Sequence, residues 1–466
     1  TSNAMYTGNY TWDRGALTAE DEEAGRKYSS MGNNITSLGT FQWDGRLNFE
    51  QLYNKSPYLK RANQRFSSRN SAKKNNKQSN KPLVKTQKIV LKKGVKKRFT
   101  HRLNTTNVKL KALDSDSGEY KLKFKVIDKN TIEIDPKEDK TLTVTVNGKN
   151  PNENPTGAGA VLQAAARGLM LVRNLTFNYS TSNGMALSGF SPGSGIFGQD
   201  GSAPGALFAI GIQEPGWLQN AWDKDWLVKG DSTISSVNRT HTEDLQIKMT
   251  LEPFNGFKVD LGVARNYAKN TQIQYQYDGM PKTFTGTFSM TTIAIGTLFK
   301  SSGNADNNYH SEVFDKFKAN RAKVIAGLER KYEGKTYPYR GFMAEEGAVA
   351  LAGKQFDPAN GTFSQNSAEV LIPAFLNAYT GTSLSQSEII PSILRMLPNW
   401  RITYDGLSRI PFIKRYFKSV NLSHSYVCKY NIGAFSSYAN YIDMDGDYGF
   451  IQDVATGMPK PSSKYD

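Results

Sequence analysis

The chain has 466 residues, of which 38% are hydrophobic and a further 40 are glycine, an ordinary share for a folded protein and too large for a wholly disordered one. No apolar run approaches the ~18 residues of a spanning helix, and one cysteine, Cys428, with four histidines excludes a disulfide scaffold and any multi-cysteine metal site. The net charge is +17, yet twenty-one Lys or Arg face only three acids between positions 60 and 125, so one segment is basic and the rest is near neutral.

The first period is two. Tyr6, Gly8, Tyr10 and Trp12 alternate with Thr7, Asn9 and Thr11, and Phe41, Trp43, Gly45, Leu47 and Phe49 alternate with Gln42, Asp44, Arg46 and Asn48. Each run predicts a strand with one greasy and one polar face, and residues 1–60 read as a first hairpin. Residues 61–85 are rich in Ser, Asn, Lys and Arg and read as a basic flexible linker. Residues 86–150 hold short strand patterns, such as Lys121-Leu122-Lys123-Phe124-Lys125-Val126 and Thr141-Leu142-Thr143-Val144-Thr145-Val146. They read as a small inserted β region.

Alternation returns in 151–300, around a Gly/Ser/Pro-rich loop placed at 181–242. Leu245, Ile247, Met249 and Leu251 oppose Gln246, Lys248, Thr250 and Glu252; after Asn255-Gly256, Phe257, Val259, Leu261 and Val263 take up the same alternation. Asn-Gly between two such runs is a strong hairpin signal. The phase is less clean from 284 to 299, where a bulge is expected. Residues 301–396 read as a mostly helical excursion. Ser311 is placed to cap a helix with Phe314, Phe317, Val324 and Leu328 on one face, and a second helix stops at Thr380-Gly381. Strands resume in 397–450, and 451–466 reads as a polar tail. The ends read as those of a piece of a longer protein.

A soluble β-sandwich also alternates, burying one face and wetting the other. Three features favour a membrane β-barrel. Several runs reach the 9–11 residues that cross a bilayer. Aromatics gather towards strand ends, at Tyr10, Trp12, Trp43, Phe49, Tyr53, Tyr267, Tyr275, Tyr277, Trp400 and Tyr404, as in interfacial girdles. The polar faces carry charges such as Arg46, Lys248, Asp260 and Arg401, which a watered lumen accepts and a dry core does not. About eight strands with such long excursions fit an arc of a very large barrel better than a small closed one.

One string is long and specific: Leu397-Pro398-Asn399-Trp400-Arg401-Ile402-Thr403-Tyr404-Asp405-Gly406-Leu407, continued by Ile410-Pro411-Phe412 and Lys418-Ser419-Val420-Asn421-Leu422. With Leu52-Tyr53-Asn54-Lys55, Pro57-Tyr58-Leu59-Lys60, Leu251-Glu252-Pro253-Phe254 and Leu371-Ile372-Pro373-Ala374-Phe375-Leu376, it resembles the SprA/Sov family. These are the giant outer-membrane translocons of the Bacteroidetes type IX secretion system. The resemblance covers most of the chain outside the basic insert. It implies an all-β fold: an antiparallel transmembrane barrel segment with an inserted β module and helical excursions. It implies export of folded cargo proteins from periplasm to cell surface, in some members with gliding motility. Its implied partners are a PorV-type shuttle protein, a periplasmic plug protein, the secreted cargo and outer-membrane lipid, with no nucleic acid. The competing reading is a soluble or surface-exposed β-rich binding protein whose basic insert is adhesive.

No catalytic, cofactor or metal site is expected, and the chain does not read as an enzyme. Asp443-Met444-Asp445-Gly446-Asp447 resembles a calcium loop, but its twelfth position is Val454 and the bidentate Glu is missing. Ser191-Pro192-Gly193-Ser194-Gly195 lacks the Lys of a phosphate loop. His310 and Ser311 read as having no acid to complete a triad, and Cys428 reads as an inert thiol. Lys92-Lys93-Gly94-Val95-Lys96-Lys97-Arg98 is the candidate anion-binding stretch.

Overall fold

A computed structural model describes the chain apart from residues 28, 69–82, 115–117, 149–157, 230–235, 255, 278–279, 302, 340, 345–348, 358–362, 385–388, 439, 446–447 and 466. It opens with β1 (Ser2–Asp13), α1 (Ala19–Glu23), β2 (Asn33–Asn48), α2 (Phe49–Lys55) and α3 (Pro57–Ser68). Seven short strands follow: β3 (Leu83–Leu91), β4 (Lys97–Thr100), β5 (Val108–Leu113), β6 (Glu119–Tyr120), β7 (Lys123–Val126), β8 (Thr131–Asp135) and β9 (Lys140–Gly148). Then come α4 (Ala158–Leu169), β10 (Val172–Phe190), α5 (Ala206–Ala209), α6 (Trp217–Asp223), β11 (Val237–Phe254), β12 (Phe257–Ile273) and β13 (Lys282–Thr291). The remainder is α7 (Glu312–Tyr332), α8 (Ala368–Thr380), β14 (Asn399–Tyr404), α9 (Pro411–Tyr416), β15 (Leu422–Tyr426), β16 (Lys429–Ser436), β17 (Ile442–Asp445), β18 (Tyr448–Gln452) and β19 (Pro459–Ser463). Strand takes 42% and helix 24%, so the protein is mostly β. Among the described residues its sheets are antiparallel, and none closes into a barrel.

The chain divides into two compact units. One comprises 1–48, 174–251 and 258–466; the other comprises 49–173 and 252–257. The first is organised on a nine-stranded sheet in the order β1-β2-β10-β11-β12-β13-β16, with β14 pairing β12 and β15. β13 and β14 share the far side of β12, and β16 and β15 continue that arrangement, so nine strands fill seven positions. The backbone closes the joins: Thr292 N–H donates to Cys428 C=O at 3.2 Å and Leu397 N–H to Thr291 C=O at 3.4 Å. β2, β10, β11 and β12 have 16, 19, 18 and 17 residues. At about 3.3 Å per residue the longest reaches roughly 60 Å.

From β1 through β2 to β10, register keeps one parity on one face. Tyr6 lies opposite Phe41 and Tyr10 opposite Ser37; Trp43 lies opposite Tyr179, Gly45 opposite Phe177 and Leu47 opposite Leu175. The polar parity pairs Asp44 with Asn178, Arg46 with Thr176 and Thr40 with Ser182, and the last two share a 2.9 Å hydroxyl bond. The apolar face is covered in two places. Residues 191–236 lay Phe208, Trp217, Leu218 and Leu227 on Ile35, Met185, Leu187 and Tyr275. Leu376 of α8 packs with Phe284, Phe288, Met290, Tyr430 and Phe435. Between these covers an apolar band stays partly open, with Trp43 45% and Leu47 42% exposed and Phe177, Tyr179, Ile247, Met249 and Leu261 half-buried. The face also holds the ion pair of Arg265 and Glu243, both sheltered, with the guanidinium over the rings of Phe288 and Tyr267 at 5.2 and 5.6 Å.

The 191–236 cover needs glycine beneath it. A Cβ on Gly8 would stand 2.0 Å from Ile210 C=O, and one on Gly39 2.2 Å from Gly211 C=O; only a bare Cα lets the loop backbone approach so closely. Ser37 Oγ donates to Phe208 C=O at 2.7 Å beside them. Gly39→Val is therefore expected to lift the loop and to cost at least the ~1–3 kcal/mol of an overpacked core. Limited proteolysis at 191–236 and the shift in the denaturation midpoint check this.

A second core joins α7, α8 and the three-stranded sheet β17-β18-β19, around Val324, Leu328, Tyr332, Tyr337, Phe356, Val370 and Phe450. Tyr332 Oη donates to Gly449 C=O at 2.9 Å. Ser311 caps α7, accepting from Phe314 N–H at 3.4 Å, and Gly381, at φ 76°, ends α8. Glu369 is buried in α8, accepting from Ser463 Oγ at 3.4 Å. Burial pushes its carboxyl above the ordinary range, against the hydrogen bonds of its own backbone and Ser463. The folded chain thus holds a proton that the unfolded chain has released. Stability falls as pH rises from the unfolded value through the folded one. Glu369→Gln is expected to flatten that fall and to raise stability at neutral pH, as denaturant midpoints across pH 4–8 would record.

The second unit holds α2, α3 and α4, where Tyr53, Ala62 and Met170 form a small core with Phe49 and Leu59. Arg173 joins Glu252 at 3.2 Å and Asn63 at 2.8 Å. Its β module faces β3-β9-β5-β6 against β4-β8-β7, with Ile89, Leu91, Phe99, Ile132, Ile134, Leu142, Val144 and Val146 buried between.

Several boundaries differ from the sequence reading. The loop placed at 181–242 spans only 191–236, because Met185 and Leu187 continue the buried alternation of β10 through small residues. In the 61–85 linker, residues 61–68 finish α3 and β3 begins at Leu83; 69–82, including the proposed flexible core, lie outside the described residues. The 151–300 strand block contains the helix α4. Phe49 and Tyr53, expected in a strand-end girdle, sit in α2, and Tyr10, Trp12 and Tyr275 pack under the 191–236 cover. The irregular phase after 284 is the end of β13 at Thr291, followed by a 3-10 turn at Ile295–Thr297; the bulge that exists lies between Gly286 and Phe288 against β16. The polar tail at 451–466 contains β19, drawn in by pairing with β18 and by Ser463 against Glu369.

Candidate functional site on the polar sheet face

The four charges singled out along the sequence come together. Arg46 of β2, Lys248 of β11, Asp260 of β12 and Arg401 of β14 line one cavity of about 550 Å³. Asn174, Thr176, Thr250, Asn399 and Ser425 line it too, as do Met249, Leu261, Trp400, Tyr426 and Val427, so residues of both strand parities border it. The rings of Trp400 and Tyr426 stack at 4.5 Å and 21°, fixed because Trp400 lies opposite Tyr426 in register. Asp260 accepts from Thr250 Oγ1 at 2.7 Å across the β11–β12 hairpin.

The local sequence explains the convergence. β11 and β12 are neighbours in the sheet; the bond from Thr250 to Asp260 puts those two on one face, and Lys248 shares the parity of Thr250. Pairing of β2 with β10 sets Arg46 opposite Thr176 on that face. Three cations and one carboxylate leave the wall net positive. Such a surface attracts acidic groups through water without fixing any one of them. The stacked aromatic pair is the part that the sequence did not reveal. Its signal was the alternation of Trp400, Ile402 and Tyr404, which gives facing but not the partner strand.

The remaining motifs stay apart from this cavity. Asp443 and Asp445 belong to β17, and Gly446 and Asp447 of the same motif lie outside the described residues. Among the described residues no group of three His, Cys, Asp or Glu is placed to hold a metal ion. Gly193 N–H donates to Asp200 Oδ2 at 2.8 Å, which makes 191–195 an internally bonded loop. One expectation needs correction: an acid does meet His310, since Asp315 Oδ2 lies 2.8 Å from its Nδ1. The α7 turn brings them together, while the Ser311 hydroxyl is engaged as the helix cap. Cys428 is half-buried, and its N–H donates to Asn399 Oδ1 at 2.9 Å. No protein-family model matches the chain, and no curated protein matches it.

Proposed function

We propose that the chain is a segment of an outer-membrane protein-conducting pore, an arc of a large barrel with its polar face to the lumen and its open apolar band to lipid. The observation that carries this is the alternation of polar and apolar parities along the long strands of one sheet, with an apolar band on one parity left partly open. Bilayer-crossing strands need 9–11 residues. β10 and β11 exceed that by about a strand's length, and the excess coincides with the part covered by 191–236. In this reading the cavity at Arg46, Lys248 and Arg401 is lumen wall, and cargo slides past a weakly attracting surface. The resemblance to the SprA/Sov translocons supplies the cargo as folded secreted proteins. It also supplies the partners, a PorV-type shuttle and a periplasmic plug. The role is transport, not catalysis.

The test uses the full-length protein in its own cells, with a photo-crosslinking amino acid at position 248 or 249. The expected result is capture of exported proteins from position 248 and lipid adducts from position 249. Exported proteins captured from 249 and none from 248 would reverse the facing and end the lumen assignment.

A further inference from the structure

The inserted β module presents a face for which the pore reading has no use. In the β3-β9-β5 sheet the buried parity is filled by Ile89, Leu142, Val144, Val146 and Ala112. The opposite parity points outward. There, Thr86 lies opposite Thr145 and Lys88 opposite Thr143, while Lys109 lies opposite Asn147 and Lys111 opposite Thr145. The middle strand is thus a row of Thr141, Thr143, Thr145 and Asn147, flanked by Lys88 on one side and by Lys109 and Lys111 on the other. With strands ~4.8 Å apart, the two lysine rows stand about 10 Å from each other. Thr86 and Thr145 share a 3.0 Å hydroxyl bond. The three strands place no acid on this face; Glu119, opposite Leu113, stands at its β6 edge.

The other sheet differs. Glu133 lies 3.6 Å from Lys96 and 3.9 Å from Arg98, and in register opposite Lys125. The basic stretch at 92–98, the obvious anion-binding candidate in the sequence, is thereby partly neutralised. The free positive face is built instead from three lysines distant in sequence. At its margins stand aliphatic side chains on the same parity: Val84, Val90 and Leu113 are 44%, 63% and 42% exposed.

We infer that this face docks on an anionic lipid surface, with Lys88, Lys109 and Lys111 meeting headgroup phosphates and Val84, Val90 and Leu113 entering the headgroup boundary. All three lysines stand on one face of one sheet within two strand spacings, so they can meet one surface together. Threonine hydroxyls between them donate to phosphate oxygens, and exposed aliphatics beside cations suit an interface of charge over hydrocarbon. Nucleic acid fits less well, because single strands want aromatic platforms and none lies on this parity. The inference rests on the β module alone, apart from the pore reading.

The full 466-residue chain, held in non-ionic amphipol, is titrated with phosphatidylcholine vesicles with and without phosphatidylglycerol. The readout is the gain in binding that the anionic lipid confers. Lys88→Gln, Lys109→Gln and Lys111→Gln together are expected to cut that gain by roughly 100-fold, from about 1 kcal/mol for each lysine at such a surface. Val90→Ser with Leu113→Ser should cut it further. The control removes equal charge from the other sheet, as Lys96→Gln, Lys123→Gln and Lys125→Gln, and should keep most of the gain. Three results overturn the inference: undiminished binding by the first triple variant, an equal loss in the control, or a preference for duplex DNA over vesicles that the first triple variant abolishes.

Discussion

Ile247→Arg is expected to lower the stability of the membrane-inserted protein by ~2–4 kcal/mol, the cost of an arginine facing lipid near the bilayer midplane. Ile247 stands on the apolar parity of β11, in the open band with Met249, Phe177 and Leu261 and clear of both protein covers. In the proposed arc an arginine there would have hydrocarbon on its outer side, and the acid on that parity of β11, Glu243, is already committed to Arg265. Lys248→Leu, one residue away on the polar parity, is expected to change little in the same assay because its neighbours there, Arg46 and Thr250, stay polar. Folded fractions across a urea series, in the full-length protein inserted in lipid, measure both. Equal stability for Ile247→Arg and wild type, with a loss for Lys248→Leu, would mean that the greasy face is not the lipid face.

The 466-residue chain by itself is expected to give no stable, uniform channel in planar bilayers. Its main sheet ends at β1 on one side and at β15 and β16 on the other. β1 alone is 12 residues long, and its outer edge offers a row of unpaired N–H and C=O groups. In hydrocarbon each such group costs on the order of several kcal/mol, so an open arc aggregates along its edges or recruits further strands. Detergent-refolded chain should therefore run as polydisperse species, and any conductance should vary from event to event. Single channels of one reproducible size from this chain alone would favour a small autonomous barrel over an arc of a large one.

The strands and their facing were largely legible. Alternation at 6–12, 41–47, 245–251 and 257–263 is a local pattern, and Asn255-Gly256 between two such runs is a local hairpin signal. The cap at Ser311 and the stop at Gly381 are likewise written in neighbouring residues. What the sequence hid was tertiary. Met185 and Leu187 look like loop among Ser, Gly and Asn until Phe208 and Trp217 are laid on them. Lys460-Pro461-Ser462-Ser463 has no strand pattern of its own and is ordered by β18 and the buried Glu369. Half of the expected aromatic girdle turned inward or onto helices for the same reason: an aromatic at a strand end serves a protein cover as well as a lipid interface. The cavity was half legible. Its charges stood out as unpaired on polar faces, but their convergence needed the order β2-β10-β11-β12-β14, which no local signal encodes. The lysine face of the insert was not legible, because Lys88, Lys109 and Lys111 are brought together only by the pairing of β3 and β5 with β9.

The sheet is expected to divide lipid from water. Cys428 is replaced by Ser, single cysteines are placed in turn at 245 to 251 of the full-length protein, and each is spin-labelled in lipid. Collision with oxygen, which concentrates in hydrocarbon, is compared with collision with a water-soluble nickel complex. The expected pattern has a period of two, with oxygen favoured at 247, 249 and 251 and nickel at 246, 248 and 250. Nickel access at every position, or oxygen and nickel varying together without alternation, would contradict it and leave a soluble β-rich protein in its place.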